Sequence, residues 1–220
     1  SFMVADLVTG ASFWVSAGFT VANMAGASAA WLILRKQSER NLQMEGQYSA
    51  LLVFYASGVA ALISASIGAP ISMYAFNIPV IKALLMWWTG EWMNAMILLP
   101  FLLALPTARK TALPHDKAQG LALALPLLAV VILEGASYTV SDKVGSLVFS
   151  LPALLWCALT YRILTTTLIT MLVFVTKIIV SLAGSMDFTP AHYVDVATLR
   201  LGITMLILGP LSVAGAHAAR

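Results

Sequence analysis

Long apolar runs dominate the chain, and polar residues come in short clusters between them. The runs are continuous. Strands of a membrane β-barrel would alternate apolar and polar positions, so the pattern argues for helices. A helix that crosses a bilayer needs about 20 mostly apolar residues. Seven segments meet that requirement: 12–35, 48–68, 80–106, 118–138, 144–163, 165–184 and 191–218. An apolar stub over 1–9 reads as the tail of an earlier span. Gly68-Ala69-Pro70 predicts a break, with a short amphipathic stretch to Pro79. Tyr161 to Thr166 predicts a tight hairpin. The expected fold class is all-α: a polytopic transmembrane helical bundle with about seven spans plus the end of an earlier one.

Composition agrees. Of 220 residues, 60% are hydrophobic and 10% charged, with a mean hydropathy of +0.92. A soluble domain carries about 25% charged residues. A chain this apolar cannot cover its surface with polar groups, which excludes an ordinary soluble domain and a disordered one. The whole of 1–220 reads as one integral-membrane domain, incomplete on its N-terminal side and holding no soluble domain.

Charge sets an orientation. The net charge is +3, but no basic run exceeds two residues, so nucleic acid is not an expected partner. Arg35, Lys36, Arg40, Arg109, Lys110, Lys117, Arg162 and Arg220 fall on one side of the predicted membrane. Lys82 and Lys143 fall on the other. The positive-inside rule makes the first side, and the C-terminus with it, cytoplasmic.

Small residues mark helix contacts. Gly18, Ala22, Gly26 and Ala30 are spaced by four, as are Ala56, Ala60, Ser64 and Gly68. Each set lies on one helix face and lets a neighbouring backbone approach closely in lipid. Pro100, Pro126, Pro152 and Pro210 are expected to kink their helices.

Ionisable groups inside spans each need a reason. Glu91, Lys177 and Arg200 fall near the middle or outer half of the bilayer, with Glu134 and Asp195 near outer helix ends. Three readings stand open. The charges neutralise one another inside the bundle, or they form an outward-facing ligand pocket, or they make a proton path. Within Trp87-Trp88-Thr89-Gly90-Glu91-Trp92-Met93-Asn94, Glu91 and Asn94 share a face, with Trp88 and Trp92 on a neighbouring strip. Trp88, Glu91, Asn94, Lys177 and Arg200 are therefore the ligand-binding candidates. Asn23, a lone amide, is the candidate for an interhelical hydrogen bond.

Other chemistry finds little footing. His115, His192 and His217 are far apart, and no His-x-x-x-His or His-Glu-x-x-His spacing occurs, so no metal site is predicted. No P-loop, Gly-x-Ser-x-Gly or nucleotide fingerprint occurs, and no catalytic residue or cofactor is predicted. Lys177 as a retinal anchor would need an acidic counter-ion set on the third helix and a longer seventh-helix context, so that reading is set aside. Cys157, the single cysteine, excludes an internal disulfide.

The third span carries a resemblance. Met86-Trp87-Trp88-Thr89-Gly90-Glu91-Trp92, running to Leu99-Pro100, resembles the W-x-x-W-W-x-G-D/E pattern of the MASE-type membrane-associated sensor domain, first class. Ala22-Asn23 followed by Leu32-Ile33-Leu34-Arg35-Lys36 resembles that family's small-residue helix ending in L-L-R-R. Ser64-Ala65-Ser66-Ile67-Gly68 and Pro152 to Arg162 resemble two further pieces in order. Glu91 stands where the family usually has Asp.

The resemblance implies a bacterial inner-membrane input domain that senses a periplasmic or membrane-borne stimulus. Its last helix would relay the signal to a cytoplasmic output, such as a histidine kinase or a diguanylate cyclase. It implies about eight spans, no catalysis within the chain, and a small unidentified ligand. The bilayer, a cytoplasmic signalling domain and a second copy of the chain are the expected partners. Two other readings remain: a substrate-capture or transport component, and a structural subunit of a larger membrane complex.

Overall fold

The computed structural model describes residues 12–110, 117–139, 147–184 and 193–219. The stub at 1–9, together with His115, Lys143, His192 and Arg220, lies outside them. The described residues form helices, which are α1 Phe13–Leu34, α2 Glu39–Leu42, α3 Ser49–Phe76, α4 Val80–Ala104, α5 Lys117–Ser137, α6 Leu151–Thr160, α7 Ile163–Gly184 and α8 Tyr193–Ala218. A 3₁₀ helix, Leu105–Lys110, follows α4.

Five helices among the described residues are long and apolar enough to cross a membrane: α1, α3, α4 with its 3₁₀ extension, α7 and α8. The expected count of about seven spans is not supported. Among the described residues of 147–162, the helix covers only Leu151–Thr160. Ten residues at ~1.5 Å each reach ~15 Å, half of a ~30 Å hydrocarbon core. The reason is local. α6 begins with Pro152 in its first turn, where a missing amide costs no intrahelical bond, and Tyr161 is extended and ends it. Residues 147–150 are turns. α5, Lys117–Ser137, runs 21 residues, close to the predicted segment 118–138.

The predicted break at Gly68-Ala69-Pro70 does not occur. α3 runs 28 residues through Pro70 to Phe76. Proline in mid-helix removes one backbone bond, but in hydrocarbon the remaining bonds have no water to compete with them. Asn77 then takes a positive φ of 54°, and the chain turns into α4 at Val80.

Contacts divide the chain into two compact units, and α3, α4 and α8 each contribute residues to both. The first unit comprises 1–36, 54–95 and 188–201. Its centre is the packing of α1 and α4 on α3. The two small-residue faces meet: a Cβ on Gly26 would lie 2.9 Å from the Ala60 carbonyl and 3.0 Å from Ser64 Cβ. Ala22, Ala56 and Ala65 are wholly buried.

The second unit comprises 37–53, 96–187 and 202–220. Phe174, Met96, Leu154, Ile207, Leu211 and Met44 fill its core. α6 packs on α5 and on α7, and the α6–α7 connection is only Tyr161 and Arg162. Within this unit, Glu45, Thr107, Tyr161, Arg162 and His217 line one cleft of about 320 Å3. The first loop, the α6–α7 connection and the end of α8 therefore meet at one place.

Candidate functional site

The tryptophan cluster of α4 is seated on α3. Trp87 Nε1 donates to Ser64 Oγ at 3.0 Å. Ser64 Oγ in turn donates to Asn23 Oδ1 on α1 at 3.4 Å, so Asn23 does form an interhelical bond. Trp88 Nε1 donates to the Gly58 carbonyl at 3.2 Å, and Trp92 Nε1 to the Phe54 carbonyl at 3.1 Å. The partners run backwards along α3 as the tryptophans run forwards along α4, which makes the pair antiparallel.

Glycines make the seats. A Cβ on Gly68 would lie 2.7 Å from the Trp87 ring, and one on Gly58 would lie 2.9 Å from the Trp92 ring. Phe19 packs on Trp87 with ring centroids 4.8 Å apart, and Phe54 packs on Trp92 at 4.7 Å. Trp88 and Trp92 stack at 5.3 Å. The indoles thus place apolar area in a seam and give each N–H an acceptor, as buried tryptophan requires.

Arg200 reaches the same helix. Its Nη1 donates to the Met86 carbonyl at 2.7 Å. A Cβ on Gly90 would lie 3.0 Å from that nitrogen, so the glycine keeps the path open. Glu91 is half-buried next to Gly90 and, among the described residues, makes no hydrogen bond or ion pair. Asn94 is exposed, whereas Glu91 is half-buried. The predicted residues Asn23, Trp88, Glu91, Asn94 and Arg200 all fall in the first unit.

Lys177 falls in the second unit and has its own partner. Its Nζ lies 2.9 Å from Glu134 Oε2, and the two side chains are only 4% and 12% exposed. Lys177 also donates to Ser137 Oγ at 3.3 Å, and its Nζ sits 5.9 Å from the centre of the Tyr138 ring. Glu134 accepts three side-chain donors: the lysine, Tyr138 Oη at 2.7 Å and Ser150 Oγ at 2.5 Å. Ser137 Oγ donates to the Glu134 carbonyl at 2.7 Å.

This network is held by three elements. Glu134 and Ser137 sit three apart near the end of α5, with Tyr138 just beyond. Ser150 immediately precedes α6, and Lys177 projects from α7. Two opposite charges taken out of water lose several kcal/mol of solvation each, on the order of 20 kcal/mol in an idealised dry interior. Their attraction offsets this only when the remaining lone pairs are also satisfied. Here the carboxylate has three donors. The arrangement is a closed polar bolt between helices.

Sequence reasoning missed Ser137, Tyr138 and Ser150 as partners, and Gly58 as a seat. The positions three and four beyond Glu134 were a usable signal, because both lie on its helix face. Ser150 had none, since its contact depends on how α6 docks. Among the described residues no group of three or more His, Cys, Asp or Glu could hold a metal ion.

No protein-family model matches the chain, and no solved structure matches it. The chain is similar to curated bacterial proteins. It is 27% identical over 220 residues to the probable diguanylate cyclase DgcF of Escherichia coli O157:H7, covering 99% of this chain and 45% of that protein. It is 29% identical over 136 residues to the probable diguanylate cyclase DgcF of Escherichia coli strain K12, covering 60% of this chain and 41% of that one. The chain therefore spans less than half the length of the curated relatives it matches.

Proposed function

We propose that the chain is the membrane-embedded input domain of a signalling protein whose output is a cytoplasmic diguanylate cyclase. One observation carries this reading: the similarity to a probable diguanylate cyclase takes in 99% of this chain but 45% of the relative. A region made of apolar helices is not a cyclase by itself. It fits the remaining part of such a protein, the part that lies in the bilayer. The reading is of a MASE-type sensor domain, supported by the order of its motifs and by the seating of its tryptophan cluster.

In this reading α8 carries the signal out. The positive-inside rule assigns its end to the cytoplasm, because Arg40 and Arg162 belong to segments that meet that end in one unit. The stimulus is a small periplasmic or membrane-dissolved molecule. Glu91, with Arg200, Trp88 and Asn94, is its candidate contact, because Glu91 is the half-buried carboxylate with no partner among the described residues. Lys177 contributes through its pairing with Glu134. A stimulus can shift an equilibrium only by its difference in affinity for two arrangements. Rearrangement of the α4 face around Glu91 is where that difference arises.

The test uses the natural full-length polypeptide that contains this chain, reconstituted in lipid, with cyclic di-GMP formation as the readout. Glu91→Gln is expected to abolish the stimulus response while leaving insertion and expression intact. A normal response from that variant would remove Glu91 from the site. A natural polypeptide with no cyclase activity would overturn the whole reading.

A further inference from the structure

We propose that α4 is a two-position element. In the first position, seen in this structure, it is seated on α3 with Glu91 unpaired. In the second it is turned about its axis, and Glu91 pairs with Arg200 of α8. This rests on the reading that the α4 face around Glu91 is the stimulus site, and it supplies the two arrangements between which a stimulus chooses.

The observation behind it is a mismatch of partners. Arg200 Nη1 donates to the Met86 carbonyl at 2.7 Å, and it lies 3.0 Å from where a Cβ on Gly90 would be. The guanidinium therefore sits beside Gly90, the residue before Glu91. Yet Glu91 is half-buried and makes no hydrogen bond or ion pair among the described residues. The Met86 carbonyl lies inside α4 and already serves its own helix. A guanidinium–carboxylate pair is charge-assisted and stronger than a bond to such a carbonyl. A carboxylate withdrawn from water without a partner is costly. Opposite charges one residue apart along α4 stay unpaired only if something holds them so.

The faces of α4 show what holds them. Lys82, Met86 and Gly90 are four apart and share the face toward α8. Lys82 Nζ sits 5.5 Å from the centre of the Tyr193 ring, and Arg200 meets Met86 and Gly90. Glu91 is ~100° further round the helix from Gly90. It falls between Trp87 and Trp88, ~40° from the first and ~60° from the second. Those are the rings that α3 holds, through Ser64 Oγ and the Gly58 carbonyl. All of these residues belong to the first unit.

The seats that satisfy the indoles thus turn Glu91 away from α8. A partial turn of α4 brings carboxylate to guanidinium, because both side chains are long. The same turn draws the indoles off their acceptors on α3. Each arrangement satisfies groups that the other strands, so neither is favoured by all of its contacts.

The experiment reads the distance between α4 and α8 in the natural polypeptide that contains this chain, in lipid and without stimulus. Spin labels enter as noncanonical residues at Ile81 and Val194, both exposed, and pulsed dipolar spectroscopy gives the distances. Gly68→Ala places a Cβ 2.7 Å from the Trp87 ring and blocks its seat. It is expected to raise a second distance population roughly tenfold, a factor that overpacking strain supplies. Adding Glu91→Gln or Arg200→Gln is expected to cancel that rise, because the turned arrangement then has no ion pair. Gly58→Ala blocks the Trp92 seat and is read in the same way, so a failure of Gly68→Ala to insert does not end the test. Overpacking alone moves the labels with or without the pair. An equal rise in the single and double variants therefore overturns the proposal. So does the absence of a second population in both glycine variants. Cyclic di-GMP formation is not the readout, so the turn of α4 can be overturned while Glu91 keeps its part in the stimulus response.

Discussion

The two units hold their helices together by opposite means. In the first, the α3–α4 seam is neutral. Indole rings lie on glycine notches, and each N–H finds a hydroxyl or a backbone carbonyl. In the second, α5, α6 and α7 meet around a full charge pair, Glu134 with Lys177, and its ring of hydroxyls. The seam gains from area and fit, so its strength is spread over many atoms. The bolt concentrates its strength in a few bonds, and losing one partner leaves a stranded charge. A stimulus of modest affinity could loosen a seam by degrees. It could only open or close a bolt.

The largest effect should come from breaking the bolt on one side. Lys177→Ala leaves Glu134 buried without its cation, and a loss of about 3 kcal/mol is expected. Thermal unfolding in detergent would report it. Adding Glu134→Gln to that variant should restore most of the loss. A double variant no more stable than the single one would mean the pair does not act as a unit.

Next comes the seam. Gly68→Ala places a Cβ where the Trp87 ring lies, and overpacking of that kind costs about 1–3 kcal/mol. The tryptophan fluorescence maximum should shift as Trp87 leaves its seat. An unchanged spectrum and unchanged stability would show that the ring has room the structure denies it.

A smaller effect is expected at Trp88. Trp88→Phe keeps an aromatic ring, smaller than the indole, and loses the donor to the Gly58 carbonyl, which still serves its own helix, so about 1 kcal/mol is at stake. Chemical denaturation in mixed micelles has the resolution to see it. A loss as large as that of Lys177→Ala would erase the contrast between the two units.

The smallest effect on stability belongs to Asn94. It is exposed, and Asn94→Ala should shift stability by less than about 0.5 kcal/mol. Any larger change in stimulus response would then mark Asn94 as a ligand contact rather than a support.

Much of this was legible in the sequence where the physics is local. The spacing of Gly26, Ala60 and Ser64 announces close helix packing, and the helices do approach there. The lone amide of Asn23 announces a partner, and it has Ser64. The extent of α5 was legible, since the helix Lys117–Ser137 lies within one residue of the predicted 118–138; the length of α6 was not, because hydropathy measures what lipid accepts and not where a helix starts. Pro152 in a first turn and residues 147–150 in turns shorten α6 without changing the apolar count. Pro70 misleads in the opposite sense, since a single missing bond does not stop a helix that lipid surrounds. The choice of partners was least legible. Lys177 pairs with Glu134 because α5 and α7 are both bound to α6, and no local spacing encodes that.

The glycine notches have a consequence for how this sequence can drift. Position 68 is tied to position 87, since a side chain at the first needs a smaller ring at the second. Positions 58 and 92 are tied in the same way. Either change alone leaves a clash or a void in the seam, while the two together can restore the fit. Among relatives, these pairs should change in step, a larger residue replacing each glycine only where its tryptophan has given way to a smaller ring. Such paired histories would make the α3–α4 seam visible in an alignment even where overall identity is low.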